Sequence, residues 1–179
     1  MSAPEQFPPV LPVVSVLYSD SSHLKWILSQ LQLLLGESVL FSEPFAFDMT
    51  DYYTGEMGAD LFRVWFCFAP LRDPSELPRW KTQCAELEKE TSSNGNRLVN
   101  VDPGYLDHGK LVLASFKHAP DKVYMGEGVF AHTCLVYRNG GFHGPVHSFA
   151  DFIDGRFNSF FSDAKQLLKK LLREQNRQG

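Results

Sequence analysis

Several common functional classes require features this sequence has little of. Cysteine occurs three times in 179 residues, at Cys67, Cys84 and Cys134, with no C-x-x-C spacing. An odd count set within apolar patterns reads as reduced, buried thiols rather than a disulfide framework. Positive charge is not in surplus. Seventeen Lys and Arg face 21 Asp and Glu, a net charge of -4, which argues against sequence-independent binding to a nucleic-acid backbone or an anionic membrane. Apolar-rich runs such as Val13 to Tyr18 and Leu31 to Leu35 fall far short of the roughly 20 residues that span a bilayer, so no membrane partner is expected. No G-x-x-x-x-G-K-[ST] segment is present to cradle phosphates. Met1 to Pro12 is proline-rich and holds Glu5 where a secretory leader would be basic, so a cytoplasmic protein is expected.

What is present is enough to build a core. Apolar residues make up 44% of the chain and include 15 Phe, 6 Tyr and 3 Trp, which can bury enough surface to offset ordering entropy. The length suits one domain over 13–179 behind a tail of 1–12. Val10 to Ser19 reads as a strand that ends in the capping residues Asp20 to Ser22. Leu24, Ile27, Leu28, Leu31, Leu34 and Leu35 then recur at helical spacing before Gly36. Val39 to Phe47 and Leu61 to Phe68 read as strands, and Ser75 to Glu90 as a helix with Trp80, Cys84 and Leu87 inward. Arg97 to Val101, Leu111 to Phe116, Val123 to Tyr124 and Val129 to Tyr137 read as further strands, the last turning at Asn139-Gly140-Gly141. Phe157 to Leu172 carries a clean helical stripe. The order predicts an α+β fold with a ferredoxin-like split βαβ core (βαββαβ) and a mainly antiparallel sheet. A β-hairpin region and a long C-terminal helix extend it.

Three segments concentrate polar chemistry. Asp48 to Asp60 (DMTDYYTGEMGAD) joins two strands that a tight turn would serve, and connections of that length are usually functional. It offers Asp48, Asp51 and Glu56 as hard oxygen ligands for magnesium or manganese, or Asp51 and Glu56 as acid and base groups, with Tyr52 and Tyr53 to stack or hydrogen-bond. Asn100 to Lys110 (NVDPGYLDHGK) places Asn100 and Asp102 on one face before a Pro103-Gly104 pair of turn type, with Tyr105 and Lys110 as further ligand-facing groups. Lys117, His118 and Lys122 gather cations suited to a phosphate or carboxylate. The split βαβ directions bring Ser19, Asp20, the acidic loop and Lys117 with His118 to one sheet edge, and put Asn100 and Asp102 toward the other. Two histidines four apart, His143 and His147, flank Gly144 and Pro145, which prevent the helix that would align them on a metal.

The segments SEPFAFDMTDYYTGEMG, LVNVDPGYLDHGKLVLASFKHAPDKVYMGEGVFAH and FFSDAKQL resemble a bacterial family catalogued as domain of unknown function 4416. The resemblance extends over nearly the whole chain after Val13. It marks Asp48, Asp51, Tyr52, Tyr53, Glu56, Gly58, Asn100, Asp102, Gly104, Tyr105, Lys110, Lys117, Tyr124 and Gly126 as family-motif positions and implies no particular activity. Some members carry the label GTP-binding protein, which gains no support from a chain without the phosphate loop. His147 to Phe152 (HSFADF) departs from the tryptophan- and proline-bearing version of the family. The expected function is binding of a nucleotide or phosphorylated small molecule with a divalent cation at the 48–60 loop. The alternative is a non-catalytic interaction module that docks a protein or forms a homo-oligomer through Tyr52 and Tyr53.

Overall fold

A computed structural model describes residues 7–145 and 150–178. In chain order the elements are β1 (Leu11–Tyr18), α1 (Ser21–Leu35), β2 (Glu37–Phe41), β3 (Phe45–Ala46), α2 (Thr54–Met57), β4 (Phe62–Ala69), a 3-10 turn (Pro74–Glu76), α3 (Leu77–Glu90), β5 (Val99–Leu106), β6 (Lys110–Ser115), β7 (Val123–Gly126), β8 (Val129–Arg138), β9 (Gly141–His143), α4 (Ala150–Ile153) and α5 (Asn158–Gln178). One antiparallel sheet runs β2-β4-β1-β5-β6-β8-β7, with β3 added to β4 and β9 to β8. Among the described residues no helix is long and apolar enough to cross a membrane.

Period-2 alternation sends side chains to opposite faces, and β1 is buried on both. Val14 and Val16 join α1 and α3 through Ile27, Leu31, Trp80 and Cys84. Leu11 and Val13 join Trp65, Cys67 and the α5 residues Phe161, Ala164 and Leu168. Helices therefore cover both faces, which explains why β1 reads as a continuous apolar run. Asp20 starts α1 by accepting from Ser22 N at 2.7 Å. All three cysteines are free and buried. The hairpin at Asn139 and Gly140 has positive φ at both residues, 50° and 83°, as its two-residue turn requires.

Three features differ from the sequence reading. The strand expected over 39–47 is two pieces, because Ser42 breaks it and its Oγ takes the Trp65 N–H at 3.0 Å. Within the segment read as a tail, Val10 is already buried and bridged to Arg72; residues 1–6 lie outside the described residues, as does His147. Pro103-Gly104 is not a turn but the middle of β5. A Cβ on Gly104 would lie 2.1 Å from Val112 O and 2.5 Å from Leu113 Cδ2, so glycine is what permits β6 to approach. Gly104→Ala is expected to lose about 2–3 kcal/mol, the upper range for overpacking against backbone; a urea midpoint matching the wild type would refute this contact.

Candidate functional site

The site begins with an incomplete ladder. β5 pairs with β1 along its whole length, from Tyr18↔Val99 to Leu11↔Leu106, but with β6 only from Gly104 to Leu106. In an antiparallel strand the N–H and C=O of one residue face the same neighbour, and alternate residues face opposite sides. Buried backbone groups without a strand need another partner. At Val101 helix α3 supplies both: Lys81 Nζ donates to Val101 O at 3.0 Å, and Val101 N donates to Glu88 Oε1 at 2.6 Å. Pro103, two residues on, faces the same side with no N–H to satisfy. The proline thus marks where two strands part.

A cavity of about 500 Å³ occupies this opening. Asn100 and Asp102 reach it from β5, Arg63 from β4, and Lys81 and Glu88 from α3. Tyr52 and Tyr53 come from the 48–60 loop, Phe116 and Lys117 follow β6, and Asp151 and Phe152 come from α4.

A polar chain fixes its inner wall. Glu56 accepts from Arg97 Nε at 2.7 Å and from Nη2 at 2.8 Å, a two-point pair. Arg97 Nη1 donates to Asn100 Oδ1 at 2.9 Å, and Asn100 Nδ2 to Asp102 Oδ2 at 2.6 Å. Lys81 Nζ closes the chain on Asp102 Oδ1 at 2.9 Å. Burial alone would raise Asp102, but the ammonium of Lys81 outweighs it and holds the carboxyl below its ordinary range. Burial would likewise lower Lys81, and Asp102 with Glu88 raises it instead. Glu88 is pushed up by burial, and Tyr53 is pushed up to about 12 for the same reason.

Opposite signs of shift permit a test. Hydrogen bonds from Arg97 hold Glu56 below 4.5, so its stabilisation is complete above that pH and is lost as pH falls through the folded value. Glu88, raised by burial, has the opposite sign, but it is common to both proteins when Glu56→Gln is compared with wild type. Their gap in urea stability should be full at pH 7 and close as pH falls below 4.5; a gap independent of pH would refute the pairing.

The second inner group is Arg63, which donates to Ser15 Oγ at 2.6 Å and pairs through Nε with Asp151 Oδ2 at 2.9 Å. Its guanidinium carbon lies 5.0 Å from the Phe47 ring centre. At the rim, Lys117 Nζ donates to Tyr52 Oη, and this contact lowers the Tyr52 hydroxyl. Lys122 Nζ donates to Ser115 Oγ at 3.0 Å and to Lys117 O at 3.1 Å. Neither lysine forms an ion pair with a carboxylate among the described residues.

Of the residues singled out from sequence, Tyr52, Tyr53, Asn100, Asp102, Lys117 and Lys122 line this one cavity. Asn100 and Asp102 belong at this edge rather than the opposite one, because they stand at the start of a strand that continues past Pro103. Glu56 backs the wall through Arg97. Asp48 pairs with Arg156 at 3.2 Å, Asp51 is an exposed loop residue whose carbonyl accepts from Thr54 N, and Asp20 caps α1. Asp48, Asp51 and Glu56 do not converge, and among the described residues no three His, Cys, Asp or Glu side chains are grouped to hold a metal ion. His118 packs on Phe130, as does Tyr124. Tyr105 packs against the core, and Lys110 pairs with Asp107 at 2.5 Å.

Sequence reasoning missed Arg63, Lys81, Glu88, Arg97 and Asp151. The signal for α3 was present: its buried residues are Leu77, Trp80, Lys81, Cys84 and Glu88, so the helical period places two charges on the inward stripe. Arg63 likewise shares the inward face of Trp65 and Cys67 in an otherwise apolar run.

The sequence matches the family described as Domain of unknown function (DUF4416) over residues 8–167. No curated protein and no solved structure matches it.

Proposed function

The chain belongs to the DUF4416 family, and we propose, from its site alone, that its cavity binds a phosphate-bearing small molecule of the nucleotide class. The observation that carries this is the rim: Lys117 and Lys122 both line the cavity without carboxylate partners among the described residues, beside Ser115 and the rings of Tyr52, Tyr53 and Phe116. Two ammonium groups suit a phosphate dianion, and the rings suit the flat or apolar body behind it. We leave a magnesium or manganese ion out of this reading, since Glu56 is engaged by Arg97 and Asp48 by Arg156. We also read β1, α1, β2, β4, α3 and β5 as a ferredoxin-like unit, supported by the antiparallel order β2-β4-β1-β5; β6 to β9 and α5 extend it. In that reading the cavity sits where the unit meets its extension.

Calorimetric titration of the protein with adenosine 5′-monophosphate tests the proposal. Saturable heat that inorganic phosphate competes away is expected; no heat at millimolar ligand would overturn it.

A further inference from the structure

The rim suits phosphate, but the cavity floor has a different chemistry. Two carboxylates stand there, each beside a cation: Asp102 with Lys81 at 2.9 Å, and Asp151 with Arg63 at 2.9 Å. The two pairs are neighbours, because Ser15, which receives Arg63 Nη1 at 2.6 Å, is the cross-strand partner of Asp102, and facing side chains on such a pair start about 5 Å apart.

Each pair keeps bonding capacity in reserve. Lys81 Nζ makes two hydrogen bonds of the three an ammonium can donate. Each Asp102 oxygen accepts one donor, Lys81 on Oδ1 and Asn100 Nδ2 on Oδ2, and a carboxylate offers about four acceptor sites. Asp151 is 2% exposed, and neither of its oxygens accepts a hydrogen bond among the described residues, although Oδ2 lies 2.9 Å from Arg63 Nε as an ion pair, a condition that buried polar atoms rarely leave unanswered. A group meeting a carboxylate and a cation side by side must donate and accept at once. A hydroxyl does both. An ammonium only donates, and would face Lys81 and Arg63 as like charges.

We propose that the floor of the cavity takes neighbouring hydroxyls, one at Asp102 with Lys81 and one at Asp151 with Arg63, so that the ligand is a phosphorylated polyol. This rests on the reading of the rim as a phosphate site. The polyol is a free sugar phosphate or the ribose of a nucleotide; both present the same hydroxyls. Phe116, 5.5 Å from Lys81 Nζ, offers an apolar face for the carbon skeleton.

Ribose 5-phosphate and pentyl phosphate share the phosphate and the carbon number and differ in hydroxyls, so calorimetry with the two separates the claims. Wild-type protein is expected to bind ribose 5-phosphate at least about tenfold more tightly, equivalent to about 1.4 kcal/mol, and Asp102→Asn to bring the ratio toward unity. Equal binding of the two by wild type overturns the hydroxyl site and leaves the phosphate site standing, whether or not the variant folds. Binding of neither overturns the phosphate reading and this inference with it. Adenosine 5′-monophosphate in parallel assigns the source: tighter than ribose 5-phosphate supports a nucleotide, weaker supports a free sugar phosphate.

Discussion

Lys81→Met is expected to destabilise the protein by about 3–5 kcal/mol, the range for removing one partner of a buried ion pair. The side chain is almost fully enclosed and does three things at once. It caps the Val101 carbonyl where β6 is missing, neutralises Asp102 and offsets the charge of Glu88. Methionine fills the volume and provides none of these, so the buried Val101 carbonyl loses its donor and Asp102 its neutralising charge. Most of the loss comes from stranded partners rather than from the pair itself, so Lys81→Met combined with Asp102→Asn should recover about 0.5–3 kcal/mol, as contacting residues do. Urea unfolding at pH 7 measures both. A loss under 1 kcal/mol for the single variant would show that water, not Lys81, serves the parted strand.

Charge reversal at the rim should have its main effect on binding. Lys117→Glu with Lys122→Glu removes two charge-assisted bonds to phosphate, each worth about 1.5–3 kcal/mol, so affinity for adenosine 5′-monophosphate should fall at least about 100-fold. Stability should fall by no more than about 2 kcal/mol, since three hydrogen bonds to neutral acceptors, at about 0.5–1.5 kcal/mol each, are exchanged in part for bonds to water. Raising ionic strength should weaken the wild type toward the variant, since exposed charges are screened. Affinity within threefold of wild type would place the phosphate elsewhere.

Strands, helices and the C-terminal stripe were legible in the sequence because their periods are local. The parting of β5 from β6 was not. Proline followed by glycine carries the chemistry of a turn, and only the strand pairing shows that Pro103 lacks a donor where none is needed and that Gly104 makes room for Val112. That one misreading displaced Asn100 and Asp102 to the wrong sheet edge. The loop tyrosines and the lysines after β6, which line the cavity, were legible as candidates because loops announce their polar content. Arg63, Lys81 and Glu88 were hidden inside apolar patterns, where a charge on the inward face was the only signal. The carboxylates of the 48–60 loop were the most conspicuous feature of the sequence, yet they separate, Glu56 to Arg97, Asp48 to Arg156 and Asp51 to an exposed loop position.

A crystal of the protein soaked in adenosine 5′-monophosphate tests the central claim most directly. Phosphate density within hydrogen-bonding distance of both Lys117 Nζ and Lys122 Nζ, with the ribose directed toward Asp102, is the predicted result. Ordered nucleotide at any other surface, with the space between β5 and β6 holding water alone, would contradict it.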